Sequence, residues 1–301
     1  MESERADLLL AYDWPYDGPF LGLLERQLGA RGLSLFSVNP QRLSETFVRL
    51  KQGDLAARAF LDRAADTDPA FEPLEAWAAE HIPVILNPAA DRRRVWLKTN
   101  LHWEFIRAGV HTPYTHVVPA WNRQPILDSP PDLAPLGETF AIKPDLGGGG
   151  WGVTLGARSW EQVEQARREM PNDDLLLQEF IEPERLEGRR AWFRIFYVCG
   201  EVVACWWDDR TRLFGAPVTA DERQRLDLDG LWGIIEVAAR IARLQLFSTE
   251  IARRADGRWV VVDYVNDPVD LRILGQAREG MPLESAERIA AALAAFVARS
   301  V

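Results

Sequence analysis

Along the first third of the chain, short apolar runs alternate with segments of helical period. "ADLLLAY" (6–12) reads as a strand, and "PFLGLLERQLGARG" (19–32) places its apolar residues on one helical face, with Gly32 in the C-terminal stop position. "LSLFSV" (33–38) reads as a second strand. Two helical stretches are expected around 42–65, then the helix "EPLEAWAAEH" (72–81) and a strand at "PVILN" (83–87). Strands alternating with helices imply βαβ crossovers and a parallel sheet, so the fold class is α/β. No G-x-G-x-x-G follows the first strand, which runs into "YDWPYDGPF" and so lacks a dinucleotide fingerprint.

The pattern then changes. A helix is expected from about Asp91 to Ala108, and the Pro-rich stretch 119–135 reads as loop. Strands are expected at "TFAIK" (139–143) and "GVTLG" (152–156), and Ser159 with Gln162 forms a capping-box pattern opening the helix "WEQVEQARREM". "DLLLQEFI" (174–181) reads as another strand. In the last third, "AWFRIFYV" is expected to turn at Gly200-Glu201 into "VVACWW" as a type II′ hairpin. The helix "LDGLWGIIEVAARIARL" precedes a second hairpin, "LFSTEIARRADGRWVVVDYVND", and a last helix covers roughly 283–299. Hairpins and segregated helices make this half α+β.

Composition narrows the setting. The 301 residues are 47% hydrophobic and 27% charged, which is ordinary for a globular protein of two or three lobes. A net charge of −10 argues against nucleic acid or an anionic membrane as partner. No apolar run has the length of a membrane span, and "MESERADLLL" is too acidic for a signal peptide, so the expected location is cytoplasmic. Cys199 and Cys205, the two thiols, sit in apolar strands and read as reduced core residues. The histidines at 81, 102, 111 and 116 lack metal-ligand spacing with a second donor and read as structural.

Two stretches carry chemistry. In "AIKPDLGGGGWGV" (141–153) the glycines match G-x-G-x-x-G lexically, but a strand follows where that motif needs a helix, and no Gly-Lys-Ser/Thr occurs. A glycine loop between antiparallel strands can fold over a polyphosphate with its N–H groups facing the oxygens, and Lys143 supplies the positive charge. The alternative is a hairpin tip whose glycines only avoid strain. In the second hairpin, a two-residue Asp256-Gly257 turn sets Glu250 opposite Asp263. Like charges directly paired across strands repel, which makes sense if a divalent cation lies between them. Oxygen ligands of this kind suit Mg²⁺ with substrate phosphates, and Asn266 can add a neutral oxygen. A solvated edge pair, or one carboxylate held protonated, is the competing reading.

Loop, lysine and carboxylates together resemble the ATP-grasp superfamily over nearly the whole chain. The resemblance is to its stand-alone carboxylate–amine ligases, such as the ribosomal-protein glutamate ligases and D-alanine–D-alanine ligases. It implies an N-terminal Rossmann-like lobe over 1–92, a central lobe over 93–183 with the glycine loop, and a C-terminal lobe over 184–301 with the metal carboxylates. ATP would lie between the last two lobes, with one or two Mg²⁺ ions, which Mn²⁺ can replace. "FAIKPDLGGGGWGV" is similar to the family's phosphate loop, so Lys143 and Gly147, Gly148, Gly149 and Gly150 would hold the phosphates. "VWLKTNLHWEFIRAGVHTP" resembles the helix that brings a second phosphate lysine, here Lys98. "LLLQEFIEP" resembles the interlobe hinge: the backbone of Glu179 and Ile181, flanking Phe180, would meet the adenine edge, with Gln178 near its amino group. Glu184 or Glu187 would take the ribose hydroxyls. Arg194 in "WFRIFYVCGEVV" would reach the terminal phosphate, or else stack on Trp207 as its expected cross-strand partner. The family spaces its metal acid and asparagine as E-x-N, whereas here Asn266 follows Asp263 by three; a bulge would restore the geometry, or Asp267 would replace Asn266.

The resemblance implies that ATP phosphorylates a carboxylate and an amine attacks the acyl phosphate, releasing ADP and phosphate. That chemistry asks for positioning and charge neutralisation, and the chain offers no Ser-His-Asp or Cys-His constellation. Arg272 in "NDPVDLRI" would bind a substrate carboxylate, or pair with Asp270. The expected partners are a small carboxylate and an amine of amino-acid or peptide kind, with assembly left open, a homodimer included. A small-molecule kinase of the same superfamily and a nucleotide-binding regulatory module without turnover are the rival readings.

Overall fold

The computed structural model describes residues 4–301; the three residues that open the acidic N-terminal stretch lie outside it. The N-terminal sheet has the order β2-β1-β3-β4, all parallel: β1 (Glu4–Tyr12), β2 (Leu35–Val38), β3 (Leu55–Arg63) and β4 (Val84–Leu86). Helices α1 (Gly18–Gly29), α2 (Pro40–Gln52) and α3 (Glu72–His81) connect these strands. The expected second helical stretch before residue 65 is strand β3. Helix α2 is capped by Asn39, whose side chain accepts from the Arg42 N–H at 3.1 Å, and ends at Gly53 with φ 78°. "LAARAFLDR" then has helical composition, but it pairs with β1 and β4 at the sheet centre and Ala59–Arg63 are buried. Tertiary pairing overrides propensity there.

The helix expected from Asp91 to Ala108 is two helices, α4 (Ala89–Val95) and α5 (Lys98–Arg107), broken at Leu97, whose backbone is extended. The break has a cause. Asp145 caps α5 from a distant loop, accepting from the Thr99 N–H at 2.6 Å and from Thr99 Oγ1 at 2.9 Å. Lys98 thereby becomes the first residue of α5.

The central lobe is an antiparallel sheet of order β5-β8-β6-β7: β5 (Thr115–Val118), β6 (Phe140–Pro144), β7 (Thr154–Ala157) and β8 (Leu175–Glu179), with α6 (Trp160–Glu169) opened by the expected Ser159/Gln162 capping box. The short ribbon β9 (Arg185–Leu186) and β10 (Arg189–Arg190) leads to the C-terminal sheet. That sheet has the order β13-β12-β11-β14-β15: β11 (Trp192–Val198), β12 (Glu201–Asp208), β13 (Leu213–Pro217), β14 (Leu246–Arg253) and β15 (Trp259–Asn266), all antiparallel. Helices α7 (Ala220–Arg225), α8 (Asp229–Ala242) and α9 (Leu283–Ser300) complete the chain.

Both hairpins depart from their expected turns. Val198 pairs with Glu201, so the first turn is Cys199-Gly200 with φ 53° and 97°, a type I′ turn and not type II′. Moving the turn back one residue shifts the register by two, so Arg194 faces Cys205 on β12 and not Trp207. In the second hairpin Arg253 pairs with Trp259, one residue out of the expected register, and a bulge between Ile251 and Glu250 then restores Glu250 opposite Asp263. Cys199 and Cys205 are free buried thiols, with burial raising them to about 12 and about 11. One core joins the two ends of the chain, where α9 packs on α1, β11 and β12 through Ile289, Leu293 and Val297 with Leu24, Leu28, Phe196 and Val203. Among the described residues no helix is long and apolar enough to cross a membrane.

Candidate active site

A cavity of about 830 Å³ is lined from all three sheets. Lys98, Lys143, Gly147, Gly148, Gly149, Gly150, Gln178, Glu179, Phe180, Ile181, Arg194, Glu250, Asp263, Asn266 and Arg272 all line it. Glu184 and Glu187 do not. Glu184 is ion-paired with Arg253, and Glu187 with Arg225 and Arg189.

The glycine loop leaves β6 after Pro144 and turns through positive φ at Gly147 (101°), Gly149 (63°), Gly150 (79°) and Gly152 (69°). These values sit in the region that L side chains avoid, which is why the loop is glycine. At Gly148 and Gly149 a methyl group would meet open space, so the backbone there is unobstructed. Lys98 ties the loop base to α5, its Nζ donating to the carbonyls of Gly147 and Asp145. Lys143 crosses to the C-terminal sheet and donates to the Val262 carbonyl at 3.0 Å. Burial lowers both lysines from the ordinary lysine range, against the pull of Asp263.

Facing them are Glu250 and Asp263, paired across β14 and β15. Arg194, opposite Glu250 on β11, lies with them: its Nη1 donates to Glu250 Oε1 at 2.6 Å and lies 3.8 Å from Asp263 Oδ2, while Nη2 donates to Ser248 Oγ at 3.0 Å. The like-charge pair is therefore compensated by a guanidinium, where the sequence suggested bare repulsion. Trp192, two residues earlier on the same strand face, donates Nε1–H to Glu250 Oε2 at 3.0 Å. Arg194 also lies 5.7 Å from the Trp207 ring centroid, as a diagonal neighbour. Burial raises Glu250 against the pull of Arg194. Burial acts on Asp263 in the same direction, but Lys143, Arg194, the Asn266 hydrogen bond and Lys98 together hold it below the usual carboxylate value.

A second bulge, between Ser248 and Glu250, sets Asn266 opposite Ser248, and its Nδ2 donates to Asp263 Oδ2 at 2.8 Å. Asp267 turns the other way. It accepts from Asn87 Nδ2 at 2.6 Å and from Arg92 Nε at 2.9 Å, and its side chain is 3% exposed. Arg92 also pairs with Asp62 and Glu75, so Asp267 belongs to a buried ionic cluster. Arg272 is engaged by Asp270 at 2.6 Å and Glu279 at 2.8 Å. Among the described residues no group of three or more His, Cys, Asp and Glu gathers as a metal cage.

At the other end, Gln178 Nε2 donates to Thr115 Oγ1 at 3.1 Å and to Tyr264 Oη at 2.8 Å, while its buried Oε1 has no partner. Phe180 beside it is half exposed. Sequence reasoning missed Asp145 and Trp192. Asp145 follows "IKP" directly, and Trp192 shares the strand period of Arg194, so each carried a readable signal.

Neither family models nor curated proteins match the chain. Solved structures do. A RimK-domain ATP-grasp protein from Sphaerobacter thermophilus aligns over 96% of this chain and 98% of its own, with TM-score 0.63 and 22% identity. D-cycloserine synthetase DcsG aligns over 96% and 99%, with TM-score 0.63 and 18% identity. The ATP-grasp ligase PsnB, solved with precursor peptide PsnA2 and AMPPNP, aligns over 99% of both chains, with TM-score 0.63 and 16% identity. With so little of any chain outside the alignment, none of the three sheets can be, and the protein has the ATP-grasp fold.

Proposed function

We propose that the protein is an ATP-dependent carboxylate–amine ligase. The observation that carries this reading is the convergence, in one cleft, of the glycine loop, Lys98, Lys143, Arg194 and the Glu250–Asp263–Asn266 group. These residues fit a magnesium nucleotide. At Gly148 and Gly149 the loop offers backbone without obstructing side chains, and the unpartnered Gln178 Oε1 can accept from an exocyclic amine. Glu250, Asp263 and Asn266 supply the oxygen donors that Mg²⁺ prefers. Mg²⁺, when bound, neutralises phosphate charge and lowers the barrier to phosphoryl transfer.

In this reading Lys98 and Lys143 hold the phosphates, and Arg194 balances the carboxylates until the nucleotide arrives. A carboxylate oxygen of the substrate attacks the terminal phosphorus, and ADP leaves. The amine nitrogen then attacks the acyl carbon, phosphate departs, and the nitrogen loses a proton to give the amide. PsnB was solved with Mg and ADP as well as AMPPNP, in keeping with this reading. ADP release that requires both a carboxylate and an amine, screened over amino acids and short peptides, supports the ligase. Release with the carboxylate alone, unchanged by any amine, replaces it with a kinase.

A further inference from the structure

One buried side chain of the cleft, Gln178 on β8, could face it in either of two ways. An amide presents its oxygen or its nitrogen according to the hydrogens of its neighbours. Here the neighbours leave no choice. Thr115 Oγ1 lies 2.7 Å from the Pro113 carbonyl, which can only accept, so the one hydrogen of the hydroxyl is committed there. Toward Gln178, 3.1 Å away, the same oxygen is an acceptor, and only Nε2 can donate to it.

The second hydrogen of Nε2 goes to Tyr264 Oη at 2.8 Å. Tyr264 must then place its own hydrogen elsewhere, and His102 Nδ1 stands 2.7 Å away. Thr112 Oγ1 approaches the same nitrogen at 3.2 Å, so two hydroxyls converge on it. A bare ring nitrogen can accept, whereas a protonated one cannot. Burial pushes the His102 pKa down to about 4, so near neutral pH the ring carries a single hydrogen, which these contacts leave to Nε2. The bonds therefore run one way, from Gln178 through Tyr264 to His102. Gln178 Oε1 is the group they leave without a partner.

We infer that Thr115, Tyr264 and His102 are positioning residues for base selection. They hold Gln178 as an acceptor, so the cleft takes a purine with an amine at position 6 and rejects one with an oxygen there. That oxygen would face Gln178 Oε1 with no hydrogen between the two acceptors. With the amide turned round, the preference would be lost or reversed. This deepens the ligase reading and rests on its nucleotide site, but the direction of the bonds is measurable without any ligand.

Mg²⁺-ADP and Mg²⁺-IDP carry adenine and hypoxanthine on the same ribose diphosphate, and calorimetry compares them without turnover. Wild type should bind ADP about ten- to hundredfold more tightly, the difference between a buried hydrogen bond and an unpaired acceptor. Thr115→Val keeps the side-chain shape but removes one acceptor for Nε2, and Tyr264→Phe removes the other. Each frees the amide to turn, so each should cut the ADP preference about tenfold, with IDP binding more tightly than it does to wild type. A merely structural loss would weaken both nucleotides alike. Imidazole nitrogen-15 spectra of the ligand-free protein at neutral pH should show His102 protonated at Nε2 and bare at Nδ1. An unchanged ADP preference in either variant, equal weakening of both nucleotides, equal wild-type affinity for the two, or a hydrogen on His102 Nδ1 overturns the proposal. Binding of neither nucleotide by the wild type would instead overturn the ligase reading, and the base-selection role with it.

Discussion

The two hairpins that meet at the cleft are built on opposite terms. Between β6 and β7 the chain presents backbone: four consecutive exposed glycines, three of them at positive φ, with open space around Gly148 and Gly149 for an approaching anion. Between β14 and β15 it presents side chains, and each is spoken for, Glu250 by Arg194 and Trp192, Asp263 by Asn266. The first surface is ready before its ligand comes. The second must exchange a partner, because the guanidinium of Arg194 stands against both carboxylates. Phosphate recognition here needs emptiness, whereas cation recognition needs a charge balance that survives when the cation is away.

Removing Arg194 strains that contrast most. Arg194→Met should lower stability by about 3 kcal/mol without metal, since it strands two largely buried carboxylates. Millimolar Mg²⁺ should recover part of the loss by replacing the missing positive charge. Urea unfolding with and without Mg²⁺ reads this, and an equal loss in both breaks the cation reading of the pair.

Next in size is a pH effect behind β15. His102 on α5 has Nδ1 2.7 Å from Tyr264 Oη, and burial pushes its pKa down to about 4 from the ordinary histidine value of 6.5. The unfolded chain takes up the proton first as pH falls, so stability is lost between pH 6.5 and pH 4 and levels off below, by about 3 kcal/mol in all. Comparison of wild type and His102→Gln across that window isolates the term; parallel curves would remove it.

Lys143→Ala should weaken Mg²⁺-ATP by about one to two orders of magnitude, the range of a charge-assisted phosphate contact. Calorimetry giving wild-type affinity would contradict it. The smallest effects separate shape from strain in the loop. Gly149→Ala should lower stability by about 1 kcal/mol because of its φ of 63°, whereas Gly148→Ala, with open space around it, should leave stability within about 0.5 kcal/mol. Gly148→Val should still weaken the nucleotide. Nucleotide affinity unchanged in Gly148→Val would set the phosphate role of the loop aside.

The same contrast explains what the chain let one read in advance. The glycine loop was visible as composition, and the parallel N-terminal sheet as alternation of period. Glu250 opposite Asp263 was also foreseen, yet by a turn that is one residue off and a bulge that cancels the error. Bulges and three-residue loops depend on local backbone choices that apolar pattern does not encode. Strand β3 was hidden for a different reason: "LAARAF" is helical by composition, and only its place between β1 and β4 makes it a strand. Arg194 as a counter-charge needed three strands in register, and Asp145 as the cap of α5 needed contacts 46 residues apart. The split between Asn266 and Asp267 turned on Arg92, which nothing near either residue in the chain announces.

The packing of α9 on α1 bears on how the molecule is made. Helix α1 ends at Gly29 and α9 begins at Leu283, so at 5–20 residues per second about 13 to 50 s of translation separate them. Throughout that interval the Leu24 and Leu28 face of the nascent N-terminal lobe waits without its cover. The lobe that emerges first is thus finished last, and a chain released before Leu283 would expose an apolar surface for chaperones and proteases to find.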